Sequence, residues 1–176
     1  MSNGDRLPYS FAKIMADQVV NILAPECERI EIAGSVRRHA REVGDIEVVL
    51  IPKKISADLF GTEVFGSQRI EQVLREHGFE ILKNGELFKQ ARIQGVMVDV
   101  SLTTPEKWGV IFTLKTGNAY FNHKLVTKKK DGGMCPSNID FQDGRLWRGG
   151  CVLETPEEKD VFEALALEWV QPENRL

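Results

Sequence analysis

Residues 46–51, Ile-Glu-Val-Val-Leu-Ile, form a β-branched apolar run closed by Pro52. Such a run suits a pleated, buried surface, and proline cannot continue its ladder, so the segment reads as a buried strand. A second strand, VMVDVSL, alternates at period two. Val96, Val98, Val100 and Leu102 share one face, and Asp99 lies on the other with Met97 and Ser101. RIEI ahead of Gly34 reads as a third strand, and FEILK and ELFKQARI flank Asn84-Gly85, a two-residue hairpin signal. Helical spacing of Phe11, Ile14, Met15, Val19, Ile22 and Leu23 predicts a helix from Pro8 to Leu23, stopped by Pro25. Another starts at Ser67 as N-cap, turns Ile70, Val73 and Leu74 inward and ends at Gly78.

The character changes at Thr104. Thr104-Pro105-Glu106 predicts a helix start, with Trp108, Ile111 and Phe112 on its buried face. Gly117-Asn118 breaks that helix, and Asn118 caps another carrying Tyr120, Phe121 and Leu125. A polar loop with a short hairpin near FQDGRLWRGG follows. The capping box Thr155-Pro156-Glu157-Glu158 opens a last helix with Val161, Phe162, Leu165 and Trp169. The expected fold class is α+β: a mixed β-sheet with flanking helices over residues 6–104, preceded by a flexible tail of residues 1–5, then a small, mostly helical lobe over 105–176.

Three features carry chemistry. Gly34-Ser35 ends a strand and is followed by Arg37 and Arg38; Asp45-Ile46-Glu47 enters the buried strand; Asp99 interrupts another. Asp45 and Glu47 fall on one face, where like charges repel and are costly to desolvate. A divalent cation relieves both costs. With Asp99 the three supply the hard oxygen ligands that Mg²⁺ or Mn²⁺ prefers, and two such ions about 4 Å apart hold a triphosphate and an attacking hydroxyl in line. Gly34 lets backbone approach a phosphate, whose oxygens the Ser35 hydroxyl and Arg38 guanidinium can bond. Each motif alone is weak: an Asp-x-Glu on a strand is more often a solvated sheet face. Their succession in GSVRRHAREVGDIE is far more specific.

GSVRRHAREVGDIEVVLI, VMVDVSLTTPEKWGVIF, TGNAYFN and the C-terminal GRLWRGGCVLETPEEKDVFEALALEWVQPENR resemble the corresponding stretches of the family X DNA polymerases, the polymerase beta-like nucleotidyltransferases. The resemblance covers nearly the whole chain. It implies a nucleotidyltransferase palm over 6–104 and a nucleotide-binding, thumb-like subdomain over 105–176, without lyase or helix-hairpin-helix domains. Asp45, Glu47 and Asp99 would be the catalytic, metal-holding carboxylates. Gly34, Ser35, Arg38, Thr116, Gly117 and Asn122 would bind the nucleotide, with Thr116-Gly117 beside the sugar and Asn122 at the base edge. Four positions depart from the family pattern: Glu47 stands where aspartate is usual, Leu114-Lys115 where Tyr-Phe is common, and Ser101 where arginine often follows the third carboxylate.

The implied activity is DNA-directed nucleotide addition to a 3′-hydroxyl by a two-metal mechanism with release of pyrophosphate, in short-gap repair synthesis. The expected substrates are nucleoside triphosphates and primer-template or gapped DNA. The alternative is a nucleotidyltransferase acting on RNA, protein or a small molecule. The net charge of −3 argues against a general DNA coat, so DNA contacts fall to local cations: Lys124, Lys128, Lys129, Lys130, Arg145 and Arg148. Cys27, Cys135 and Cys151 have neither zinc-ligand spacing nor an even count, which predicts reduced thiols. No apolar run approaches the roughly 20 residues that span a bilayer, and a soluble, cytoplasmic monomer is expected.

Overall fold

The computed structural model describes residues 6–56 and 63–176; the tail expected at 1–5 lies outside the described residues. The chain divides into two compact units, 1–103 and 104–176. In chain order the first unit contains β1 (Leu7–Pro8), α1 (Tyr9–Leu23), β2 (Cys27–Ile32), the single helical turn α2 (Gly34–Arg37), β3 (Glu42–Val43) and β4 (Ile46–Pro52). It continues through β5 (Lys54–Ser56), β6 (Glu63–Phe65), α3 (Ser67–Glu76), β7 (Glu80–Asn84), β8 (Phe88–Ile93) and β9 (Val96–Leu102).

Five strands form one sheet in the order β2-β4-β9-β8-β7. β4 and β9 run parallel at its centre, and the other neighbours are antiparallel. Two-stranded pairs β1–β3 and β5–β6 complete the unit. The apolar residues of β4 and β9 at alternate positions, Ile46, Val48, Leu50, Val96, Val98, Val100 and Leu102, join α1 and α3 in one core. The two faces of β9 therefore divide as the alternation predicts. On α1 the buried stripe is Ala12, Met15, Ala16, Val19 and Leu23. Phe11 and Ile14 are 44% and 58% exposed, because the buried stripe runs through Ala12 and Ala16 beside Met15, Val19 and Leu23.

Two boundaries in this unit differ from expectation. Ser67 is the first helical residue, after Gly66 at the N-cap, and its hydroxyl donates to the Glu86 carbonyl at 2.9 Å. The β7–β8 reversal falls at Glu86-Leu87, closed by Gly85 N–H to Phe88 O at 2.8 Å. Asn84 is held in the ladder instead: its amide donates to Glu71 at 2.6 Å and its Oδ1 accepts from Lys89 at 2.6 Å. Lys89 is buried at 2% exposure, and burial lowers its pKa against the opposing pull of Glu71. β8 and β9 meet at Gln94-Gly95, where both residues have positive φ, 51° and 81°, the conformation of a two-residue hairpin turn.

The second unit contains α4 (Trp108–Thr116), α5 (Ala119–Val126), β10 (Ile139–Gln142), β11 (Arg145–Arg148), β12 (Cys151–Leu153) and α6 (Glu158–Ala164). The predicted hairpin is the first half of a three-stranded antiparallel sheet, β10-β11-β12, turned at Asp143-Gly144 and Gly149-Gly150. Its core gathers Val110, Phe121, Leu125, Ile139, Leu146, Val161, Phe162 and Leu165. Phe121 is buried, whereas its neighbour Tyr120 is 65% exposed. The capping box of α6 is Glu157 with Asp160, two residues later than predicted, and Asp160 accepts from Glu157 N–H at 2.8 Å. Thr155 is instead buried below that turn. The architecture is α+β, with a mixed sheet and flanking helices in the first unit.

Candidate active site

Beyond β2 the chain folds over the start of β4. Ala33 N–H donates to the Glu47 carbonyl at 2.8 Å, and Gly34 takes φ +58°. A Cβ at Gly34 would lie 1.8 Å from Glu47 Oε2. Only glycine permits both the backbone conformation and this approach. The turn carries Ser35, whose Oγ is buried and has no hydrogen-bond partner among the described residues. Arg38 closes it, N–H to Gly34 O at 3.1 Å. Burial lowers the Arg38 pKa, while Glu47 and Asp45 act to raise it. The guanidinium is thus the near counter-charge to the first two acids.

Asp99 is the register partner of Glu47 on the neighbouring parallel strand. Facing residues of paired strands project to one side of the sheet, with backbones about 4.8 Å apart. Glu47 and Asp99 are both partly buried there, on the face away from α1 and α3. Gln90, the β8 partner of Asp99, donates Nε2–H to Asp99 Oδ1 at 2.9 Å. In these side-chain positions no three His, Cys, Asp or Glu groups among the described residues form a ready cation cage. The register seats Glu47 beside Asp99, while Asp45 precedes β4; Glu47 lies beneath Gly34, and Asp99 accepts from Gln90. As a donor set, the paired Glu47 and Asp99, with Asp45 just before β4, offer the hard carboxylate oxygens that a Mg²⁺ or Mn²⁺ ion takes. The orphaned Ser35 hydroxyl fits a phosphate oxygen.

In the second unit the turn after α4 is clamped from two sides. Asn122 Nδ2 donates to Leu114 O at 2.6 Å and Gly117 O at 3.1 Å, and a Cβ on Gly117 would meet Asn122 Oδ1 at 2.3 Å. Asn118 caps α5 by accepting from Phe121 N–H at 2.7 Å, as predicted. Its own N–H donates to Arg175 O at 3.2 Å. Arg175 has no exposed surface; Nη1 meets Glu158 Oε1 at 2.6 Å, Nε donates to Val170 O at 3.0 Å, and the guanidinium lies over Phe162. Thr116 is fully buried. Asn122 thus holds the Thr116-Gly117 turn through its amide hydrogens.

Of the six cations considered for DNA, three have partners within the fold. Lys124 donates to Gly132 O at 2.9 Å, Arg148 to Ala164 O at 3.1 Å, and Lys128 pairs with Asp140 at 2.8 Å while also donating to the Ile139 carbonyl. Lys129 and Lys130 are exposed on the turn after α5. Arg145 lines a cavity of about 410 Å³ with Glu106, Glu154 and Val152. Sequence reading missed Gln90 and Arg175. The turn dipeptide Gln94-Gly95 holds the signal for Gln90, since counting outward from it pairs residue 90 with 99. Nothing local marks Arg175 as buried.

Residues 112–176 match the DNA polymerase beta thumb family. The chain is also similar to DNA polymerase lambda of Rattus norvegicus, 27% identical over 158 residues, which takes in 81% of this chain. It spans 28% of that relative's length. No helix among the described residues is long and apolar enough to cross a membrane.

Proposed function

Taking as premise a chain that is family X polymerase-like, with a polymerase beta-type thumb at its C-terminal end, we propose that it is a metal-dependent DNA-directed nucleotidyltransferase. It adds nucleotides to a DNA 3′-hydroxyl and releases pyrophosphate, with short gaps as the natural substrate. The observation that carries this reading is the pairing of Asp99 with Glu47, which lies beneath a glycine-tight turn. Asp45, Glu47 and Asp99 would hold the divalent ions, which when bound neutralise the charge on the phosphates and the attacking oxygen. The remaining work falls to the chain. Gly34, Ser35 and Arg38 bind triphosphate oxygens, and Arg38 brings its charge already balanced against Asp45 and Glu47. Asp99 orients the hydroxyl and accepts its proton. In the second unit, Thr116, Gly117 and Asn122 are the proposed nucleotide contacts, and Lys129 and Lys130 meet the DNA backbone. Positioning and charge compensation supply most of the rate.

The test is extension of a gapped duplex with Mg²⁺ or Mn²⁺, using both deoxy- and ribonucleotides, beside labelled RNA and protein acceptors. Template-dependent extension that disappears in a folded Asp99→Asn variant is the expected result. Labelling of RNA or protein alone rejects the DNA acceptor, and full turnover by Asp99→Asn rejects the site.

A further inference from the structure

The neighbours of Asp99 on its own strand and face, Met97 and Ser101, are uncharged. Across the ladder it has Glu47 on one side and Gln90 on the other. The Gln90 contact, Nε2 to Oδ1 at 2.9 Å, joins two side chains at the same register position of adjacent strands. Backbone pairing therefore fixes the reach of the amide. A carboxylate can only accept, so the amide presents its N–H. A neutral donor restrains the carboxylate without cancelling its charge; lysine or arginine at this place would compete with a divalent cation for it. One carboxylate oxygen is engaged, and the other has no hydrogen-bond partner among the described residues.

We propose that Gln90 is a positioning residue for Asp99: its amide holds Oδ1 so that the second oxygen is presented to the divalent cation. Cation affinity then depends on Gln90 although Gln90 is no ligand. The inference rests on the reading of Asp99 as a metal-holding carboxylate.

Gln90→Met keeps the side-chain length and removes the donor. Binding of Mn²⁺ alone to the full chain, followed by electron paramagnetic resonance of the free ion, should weaken at least about tenfold, as when other partners of metal ligands are removed. The melting temperature should stay at the parent value. In gapped-duplex extension the Mn²⁺ concentration for half-maximal rate should rise in parallel, with KM for the nucleotide unchanged at saturating Mn²⁺. Gln90→Asn withdraws the amide by one methylene and should show the same loss, which covers any strand perturbation by methionine. Parent-like Mn²⁺ affinity in both variants overturns the proposal. Asp99→Asn, measured beside them, separates two failures. If it loses Mn²⁺ binding while the Gln90 variants keep it, only the role of Gln90 falls. If it too binds like the parent, the metal role of Asp99 falls and takes that of Gln90 with it.

Discussion

An alanine at position 34 has nowhere to put its methyl group: the left-handed backbone disfavours any side chain there, and Glu47 Oε2 occupies the space. Gly34→Ala should cost about 1–3 kcal/mol from backbone strain alone. Because relief comes through movement of Glu47, nucleotide addition should fall about a hundredfold, the typical cost of a small misplacement in an active site. Thermal melting and extension rates check the two effects; a variant with parent activity would detach Glu47 from the chemistry. That Glu47 and Asp99 share the face away from α1 and α3 was legible in the sequence, since period-two alternation assigns each residue of a strand to a face. Gln90 was not, because its importance lies in a cross-strand pairing. One overlooked turn sets that pairing.

Element boundaries turned on side-chain commitments that sequence patterns underdetermine. Thr155-Pro156-Glu157-Glu158 and the observed Glu157/Asp160 pair both look like caps, and the helix starts at the later one because Thr155 is taken into the core. Asn84-Gly85 looks like a turn, but Asn84 is fastened to Glu71 and Lys89, which moves the reversal onward. The end of the second unit is fixed by Arg175 against Glu158 on α6, a buried pair 2.6 Å apart. Arg175→Ala leaves the Glu158 charge without that partner and should destabilise the protein by about 3–5 kcal/mol. Urea unfolding followed by tryptophan fluorescence reads this directly, as Arg175 also stacks on Trp169. A loss of only about 1 kcal/mol or less would place the pair with ordinary exposed ion pairs.

For the whole chain, the α+β class followed from the two apolar strands and the helical spacings, whereas the three-stranded sheet of the second unit was only half visible. Its strands are short, and the turn dipeptides Asp143-Gly144 and Gly149-Gly150, not apolar runs, mark it. The three cysteines divide by burial: Cys151 is exposed, and Cys27 and Cys135 are buried. Burial pushes the Cys27 thiol up to about 12, with Glu26 adding to the shift. Its contribution to stability is full below the ordinary thiol pKa near 9.0 and is lost as pH rises toward 12, since the unfolded chain ionises first. A thiol reagent at neutral pH should modify Cys151 alone in the native protein and all three cysteines in denaturant. Rapid native labelling of Cys27 would contradict its burial. The parallel seating of β9 against β4 also carries a consequence in time. β7, β8 and β9 meet through local reversals, but β4 reaches β9 only across the long stretch of chain between them, a slow closure. A newly synthesised molecule thus acquires helices and hairpins early and its facing acids late. Stalled before that last step, it would look folded to a spectrometer while Glu47 and Asp99 were still apart.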